Sequence, residues 1–435
     1  MSNYIFNTSW LILSKVYRMG FALLVTVAMA RYLGPEKFGI FNYAFSLVTL
    51  FSVFITLGLE NIVVREVLNN KQKQEQVLSS SILLRLIGSI FFIIFSLSAV
   101  YFLRPSENET QFLVLVLSIG YVFKSIEILR YWFESQVKAK YSATLEVVAF
   151  TVSIGLKIAF IILNLPLIYF AFAVAAESVV MAFGLIFVFS KQSDVKLIRM
   201  KASFLQAKYL MGEAWPLILA SALYIVFTKI DQIMLGELVG SESVGIYAAA
   251  VKISEGWYFV PGMIATSLYP LMLKAKKRSR KSYIDITQQL LNVMVLIAVL
   301  AAVFIGIISS NLINLTFGQY YSESANILIA HIWGGVFIAI GGVSYRYLIA
   351  EGLQKYSFYR ALFGAIVNIC LNLFLIPRYG ATGAAVATVL SQFMTLYLFN
   401  SLNKATRELF YMQSKALSLT GTPSTIRFLK GLRNS

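Results

Sequence analysis

Long apolar stretches, separated by short polar segments, run through almost the whole chain. Residues 21–30, 40–59, 90–103 and 290–308 are nearly free of charge, and with flanking residues each approaches the roughly 20 residues that cross a hydrocarbon core. The apolar windows between helix breakers predict an all-α polytopic membrane protein with about twelve transmembrane helices. We place these helices at 10–31, 38–59, 81–103, 111–132, 142–163, 166–189, 214–236, 244–272, 286–309, 325–349, 356–376 and 380–400.

Composition supports a membrane location and argues against nucleic acid as a partner. Of the 435 residues 58% are hydrophobic and 13% are charged, whereas soluble domains are about half apolar and a quarter charged. The formal net charge of +17 would indicate nucleic acid in a soluble protein. In a membrane protein basic residues favour cytoplasmic loops instead, so we expect no nucleic-acid partner.

The placement of lysine and arginine orients the helices. With the N-terminus inside, the inner loops hold 25 basic residues, Arg130 and Arg360 among them, and the outer loops hold four. This asymmetry predicts a multi-pass protein with both termini in the cytoplasm. The N-terminus lacks the basic region and cleavage site of a signal peptide, so we read Trp10 onward as a retained first span.

The two halves of the chain echo each other. Residues 33–41 (LGPEKFGIF) resemble residues 239–247 (VGSESVGIY), and KYS occurs at both 140–142 and 355–357. Both halves begin on the same side, which predicts a parallel repeat of two six-helix lobes around a central cavity, a transporter architecture. We divide the chain into an N-terminal lobe, a linker, a C-terminal lobe and a basic cytoplasmic tail, at 1–189, 190–213, 214–400 and 401–435. The linker pattern fits either a helix on the inner membrane surface or a solvated segment.

Basic residues inside the predicted spans are candidates for substrate binding. A charge at the centre of a membrane helix costs about 2.5–3.5 kcal/mol, so these side chains must face a hydrated cavity, pair, or snorkel. Snorkelling is an equal alternative for Lys15, Arg85 and Arg346. With eight basic and five acidic residues in the spans, the cavity should attract anions, and arginine or lysine is the usual partner of phosphate. The candidates are Lys15, Arg18, Arg85, Lys124, Lys157, Lys229 and Lys252.

Four of the five acidic residues of the spans are candidates for ion coupling. Glu127 and Glu255 each have a lysine three residues before them, which favours a fixed salt bridge. Asp231 and Glu146 have no such local partner, so proton or cation exchange is more plausible there. The fifth acidic residue, Glu177, is not one of these candidates.

Motifs for other chemistry are missing from the sequence. No GxxxxGK[ST] segment provides ATP binding, the one cysteine excludes a CxxC motif, and His331 is the one histidine. No loop has the length of a catalytic domain. We therefore predict a protein that is not an enzyme and that uses no cofactor and no metal.

Four segments together resemble the O-antigen flippases, the polysaccharide exporters of the multidrug/oligosaccharidyl-lipid/polysaccharide superfamily. They are residues 7–18 (NTSWLILSKVYR), 30–39 (ARYLGPEKFG), 229–236 (KIDQIMLG) and 376–387 (IPRYGATGAAVA). The resemblance implies a V-shaped pair of six-helix lobes around a central cationic cavity. Its matching positions Lys15, Arg18, Lys229 and Asp231 suggest where the cavity lies.

The resemblance also implies a substrate and a pathway. The substrate would be an undecaprenyl-pyrophosphate-linked oligosaccharide, flipped from the cytoplasmic to the outer leaflet of a bacterial inner membrane for O-antigen, lipopolysaccharide or related glycans. Partners would be membrane lipid and, in the same pathway, a glycan polymerase and a chain-length regulator. Two alternatives remain: an ion-coupled multidrug antiporter of the same fold, which should prefer an acidic cavity, and a membrane glycan polymerase or ligase, which should carry a large outer loop.

Overall fold

The protein is all-α. The computed structural model describes residues 2–193, 195 and 201–419, with the backbone alone for 2–9, 11–13 and 71, and it contains no strand in these ranges. The α-helices are α1 Ser2–Phe51, α2 Val53–Thr56, α3 Glu60–Asn69, α4 Gln74–Leu103, α5 Asn108–Val122, α6 Ile128–Ser135, α7 Ala139–Ile162, α8 Ile168–Gln192, α9 Phe204–Leu238, α10 Ser241–Arg278, α11 Arg280–Thr316, α12 Ser324–His331, α13 Gly334–Ala350, α14 Gln354–Leu396 and α15 Arg407–Leu417.

The helices account for the twelve predicted spans. Nine segments of the described chain are long and apolar enough to cross a membrane. Two of them, Ser14–Asn69 and Gln354–Ser401, are each long enough for two spans. The remaining span is α10, whose 38 residues are interrupted by Pro261 and Pro270 and by charged residues. The polytopic all-α fold predicted from hydropathy is confirmed.

The internal repeat is visible in the backbone between helices. Gly34 interrupts α1 with a φ of 72°, and Gly240 separates α9 from α10 with a φ of 125°. Both values lie in the left-handed region that glycine enters at no steric cost. These glycines occupy matching places in the two echoed segments, so the echo marks the same helix–helix turn in each half.

The second echo is also structural. A residue with positive φ lies three positions before each KYS segment. These residues are Val137, with a φ of 56°, and Gly352, with a φ of 72°. Further along, Asn164 and Gly380 have φ values of 54° and 55°, and each ends the helix that KYS opens. The two halves therefore break their helices at corresponding points, as a parallel repeat requires.

The described chain forms two compact units, Met1–Ile233 and Met234–Ser435. In the first unit a buried core joins Leu59, Phe133 and Phe189 to Leu210 and Ala214 of α9. The boundary between the units falls within α9, so most of this helix packs with the first unit. The sequence-based boundary at residue 214 instead placed this helix in the second lobe.

A close backbone contact fixes α9 in the first unit. A Cβ on Gly58 would lie 2.9 Å from the Cβ of Leu217, and Gly58 itself has a φ of 57°. Nearer the start of the helix, the Ser80 hydroxyl donates to the carbonyl of Ser203 and accepts from its amide, at 3.2 and 3.0 Å. Part of the predicted linker, from Phe204 onward, is thus the first section of α9; residues 194 and 196–200 lie outside the described residues.

The predicted cytoplasmic tail contains a docked helix, α15. Its apolar face, Leu409, Met412 and Ala416, is buried in the core of the second unit. Gln413 is buried with it and makes three hydrogen bonds: its amide donates to Ser344 Oγ (2.7 Å) and Leu396 O (2.9 Å), and its Oε1 accepts from Asn400 (2.9 Å). Residues 420–435 of the tail lie outside the described residues.

An ion network joins α15 to two loops of the same unit. Glu351, between α13 and α14, forms ion pairs with Lys276 and with Arg280, at 2.8 Å each. Arg280 also pairs with Glu408 of α15. Burial opposes ionisation of Glu351, but these two cations outweigh burial and lower the pKa of its carboxyl group.

We expect Gln413→Ala to lower the thermal unfolding temperature of the purified protein. The change leaves Ser344 and Asn400 with one partner fewer, at about 1 kcal/mol for each lost hydrogen bond. Lys415→Ala, on the exposed face of the same helix, is the matched control and should leave the unfolding temperature unchanged. Equal unfolding temperatures for both variants would contradict a docked α15.

Candidate functional site

The first unit holds a cluster of charged side chains on its membrane helices. Arg18 of α1 lies 3.0 Å from Glu146 of α7 and 3.7 Å from Glu177 of α8. Its guanidinium also lies 5.4 Å from the centroid of the Phe150 ring. The Arg18 side chain is 38% exposed, so three helices hold this guanidinium while it stays accessible.

Glu146 joins a second arginine to this cluster. Its Oε1 lies 2.5 Å from Arg130 of α6, which also donates to Glu134 at 2.8 Å. The sequence contains no basic residue one helical turn from Glu146, yet the fold brings two arginines from other helices to it. Glu146 thus lacks a local partner, as the sequence indicates, but has two partners from other helices, which makes it a less suitable site for proton exchange.

Lys124 extends the cluster on the other side. The helix tightens into a 3-10 turn over Phe123–Glu127, and the Lys124 ammonium lies 3.6 Å from the centroid of the Tyr121 ring. Lys124 interacts electrostatically with Glu127 and with Glu177. Across the cluster four carboxylates face three cations, so the excess of positive charge that the sequence suggests does not hold here. We call Arg18, Lys124, Arg130, Glu127, Glu134, Glu146 and Glu177 the charge cluster.

Arg85 lies away from the charge cluster, inside the helix bundle. It is 2% exposed, its Nε donates to the carbonyl of Ile55 at 2.9 Å, and its guanidinium lies 5.9 Å from the Tyr131 ring centroid. These contacts join α4 to α2 and α6. In this conformation Arg85 stabilises packing, and a substrate in an open cavity would not contact it.

The remaining candidates lie on α1, α7, α9 and α10. Lys15 is exposed one turn before Arg18, and Lys157 is half-buried further along α7. In α9, Lys229 is half-buried and Asp231 is buried, next to Gln232, which accepts from Ser46 Oγ at 2.6 Å. On α10, Lys252 and Glu255 are both exposed, one helical turn apart.

Three buried or paired polar side chains were not among the candidates from the sequence. Arg130 and Arg360 were counted as loop residues because they lie close to the ends of apolar runs. His331 is buried, and its Nδ1 lies 2.8 Å from Ser254 Oγ and 3.1 Å from the Tyr258 hydroxyl. Conversely, Glu177 was visible as an intramembrane acid, but its contact with Arg18 joins helices far apart in sequence.

Comparison with known proteins identifies the class and then the family. The chain has the fold of a lipid II flippase MurJ in an inward closed conformation, with a TM-score of 0.72 at 17% identity, covering 94% of this chain and 90% of that one. An inward-facing multidrug resistance MATE family transporter of the MOP superfamily matches with a TM-score of 0.70 at 17% identity, over 93% and 96% of the two chains. The fold is therefore the one that these membrane transporters share.

Sequence comparison assigns the family. The model of the polysaccharide biosynthesis protein family matches residues 5–276, and the model described as lipid II flippase MurJ matches residues 259–426. The chain belongs to the polysaccharide biosynthesis protein family. It is 24% identical to the capsular polysaccharide biosynthesis protein CapF of Staphylococcus aureus, over 90% of this chain and 96% of that protein. It is also 24% identical to a putative O-antigen transporter of Shigella flexneri, over 82% and 88% of the two chains.

Proposed function

We propose that this protein is a flippase that moves an undecaprenyl-pyrophosphate-linked oligosaccharide from the cytoplasmic to the outer leaflet of a bacterial inner membrane. Family membership and the named relatives support a role with lipid-linked glycans. The observation that carries the proposal is Arg18, an accessible guanidinium held at membrane depth by residues of two other helices. Such a group is costly in lipid and is suited to phosphate.

The charge cluster suggests how a pyrophosphate is received. Arg18 and Arg130 share one carboxylate, Glu146, and a doubly charged phosphate group could take its place between the two guanidinium groups. Arg130 keeps Glu134 when Glu146 is displaced. Glu146 therefore fills the phosphate position in the unloaded protein and compensates the arginines until the substrate arrives.

The transport step requires that the headgroup be shielded from the hydrocarbon core, and it forms or breaks no covalent bond. The sugars would cross in a hydrated cavity, while the polyprenyl tail stays in lipid and alternating access gives direction. Lys15, Lys157, Lys229 and Lys252 are the further substrate contacts that we propose. Arg85 and Lys124, which are held by Ile55 and Tyr121, would act from behind the cavity surface.

The antiporter alternative has one observation in its favour, the carboxylates of the charge cluster. A cationic drug would need them free, as in an acidic cavity. Glu146 and Glu177 are instead engaged by Arg18, and Glu146 also by Arg130. The pairing leaves neither of these two carboxylates free for a cationic drug.

The proposal can be tested in cells that assemble the glycan. Depletion of this protein should remove the surface glycan and leave lipid-linked oligosaccharide in the cytoplasmic leaflet, and a plasmid copy should restore both. A polymerase would act after flipping, so its loss should leave single repeat units exposed outside, whereas loss of a chain-length regulator should change only the length of the polymer. Normal surface glycan after depletion would contradict the proposal.

We expect both termini in the cytoplasm, which labelling with an impermeant thiol reagent can check. In a Cys370→Ser background, Ser322→Cys should react in intact cells and Ser279→Cys only after the membrane is opened. Both positions are exposed, and they lie at opposite ends of α11. Labelling of Ser279→Cys from outside would overturn the orientation derived from the basic loops.

A further inference from the structure

Arg360 in the second unit is buried without a partner. It lies in α14, six residues after the helix begins and thus about 9 Å along it, and it is 6% exposed. In the part of the chain that the structure describes, Arg360 makes no ion pair and no hydrogen bond, and its Nη1 is buried. An arginine stays protonated in a protein, so this charge cannot be relieved by losing a proton.

The other arginines of the membrane helices described above have at least one hydrogen bond: even Arg85, whose Nη1 is also buried without a partner, donates from Nε to the carbonyl of Ile55. Arg346, on the neighbouring helix α13, donates to the carbonyl of Gly342 at 2.9 Å and to Thr266 at 2.5 Å. Arg378, later in α14, donates to the carbonyl of Phe374 at 2.8 Å. Because these side chains fold back onto their own helix, the conformation of Arg360 is not a general consequence of placing arginine in a membrane helix.

Two hydroxyl groups near Arg360 are also buried without a hydrogen bond. Ser357 precedes it by three residues and so lies on the same face of α14, and its Oγ is buried without a hydrogen bond. Thr395 belongs to the section of α14 after Gly380, and its Oγ1 is buried without a hydrogen bond too. A Cβ on Gly364, one turn after Arg360, would lie 2.6 Å from that Oγ1, so the two sections of α14 are in close contact here.

The carboxylates at this end of the second unit pair with other residues. Glu351 is held by Lys276 and Arg280, and Glu408 by Arg280 and the Tyr347 hydroxyl. A buried guanidinium with two unsatisfied hydroxyl groups on its helix and no carboxylate offers hydrogen-bond donors to a ligand. Such a set binds an anion, and the planar fork of arginine matches an oxyanion with two donors at once.

We propose that Arg360, Ser357 and Thr395 form a binding site for a phosphate-type oxyanion, either the headgroup of a phospholipid or free phosphate. Bound there, the anion compensates the buried charge and joins the two sections of α14. The depth of Arg360, near the end of a span, places the site at the level where phosphate groups of a leaflet lie. The site belongs to the second unit and does not depend on the flippase function.

Thermal unfolding of the purified, delipidated protein in gluconate buffer tests this site. Inorganic phosphate and, separately, short-chain phosphatidylglycerol should each raise the unfolding temperature of the wild type, by about 2–4 °C at saturation. Arg360→Met should abolish that rise. A buried charge replaced by an apolar side chain of similar length is tolerated, so this variant should still fold.

Matched variants separate this site from other basic residues. Arg346→Met and Arg378→Met should keep the full rise, and Thr395→Val should require about tenfold more phosphate. Greater potency of phosphatidylglycerol assigns the site to a lipid headgroup, and greater potency of inorganic phosphate assigns it to the free anion. A rise that persists in Arg360→Met, or an equal rise with chloride, would overturn the proposal.

Discussion

Replacing Arg18 by glutamine should lower transport of a lipid-linked oligosaccharide about tenfold or more, because a contact between charged groups is worth about 1.5–3 kcal/mol. The amount of folded protein should not change. After the substitution Glu146 and Glu134 keep Arg130, and Glu177, which loses Arg18, keeps its electrostatic interaction with Lys124. The measurement is the rate at which the oligosaccharide becomes accessible outside, together with the unfolding temperature of the variant.

The control for Arg18→Gln is Arg378→Gln, an exposed arginine of the second unit that packs on its own Phe374 ring. It removes the same charge from the protein and should leave transport unchanged. Lys229→Gln should reduce transport like Arg18→Gln. Normal transport with Arg18 and Lys229 both neutralised would remove the argument that basic side chains bind the pyrophosphate.

Replacing Asp231 by asparagine should uncouple transport from an ion gradient. With no P-loop in the sequence, the available energy is a gradient or the membrane potential, the latter worth about 2.3 kcal/mol per charge per 100 mV. Asp231 is buried in α9, where binding and release of a proton or cation would change its charge. Of the other first-unit candidates, Glu146 pairs with two arginines and Glu127 lies one turn after Lys124.

The expected result for Asp231→Asn is that flipping with an imposed proton or sodium gradient falls to the rate without one, while substrate binding is retained. Asp285→Asn, an exposed carboxylate on α11, is the matched control and should respond to the gradient like the wild type. If the wild type itself is indifferent to every gradient, the protein is a facilitator that is drawn forward by glycan polymerisation outside.

The membrane helices could be predicted because each apolar stretch identifies a span without information on its contacts. Hydropathy located every span, including both halves of α1 and α14, where Gly34 and Gly380 break the helix. The weakest span, α10, was recognisable by its length in spite of Pro261 and Pro270. The tail helix α15 was missed because it is short and lies in a basic segment, and because Gln413 reads as a solvated residue until its partners are known.

Most residues of the candidate site could be predicted from the sequence, but their contacts with other helices could not. Sequence spacing relates residues on one helix, and for that reason it offered Lys124 with Glu127. The contacts of Glu146 come from α1 and α6, and only the fold brings those helices to it. Arg85 illustrates the converse: its position in an apolar run suggested a cavity, whereas the packing of α4 against α2 turns it inward to the carbonyl of Ile55.

Transport in proteoliposomes tests the central claim most directly. The purified protein is reconstituted with an undecaprenyl-pyrophosphate-linked oligosaccharide in the inner leaflet, and the sugar that reaches the outer leaflet is measured with an impermeant sugar-binding or sugar-cleaving reagent. The account predicts that wild-type protein exposes the oligosaccharide, that Arg18→Gln does so about tenfold more slowly or worse, and that a cationic drug is not moved. Export of the drug with no exposure of the oligosaccharide would contradict the account.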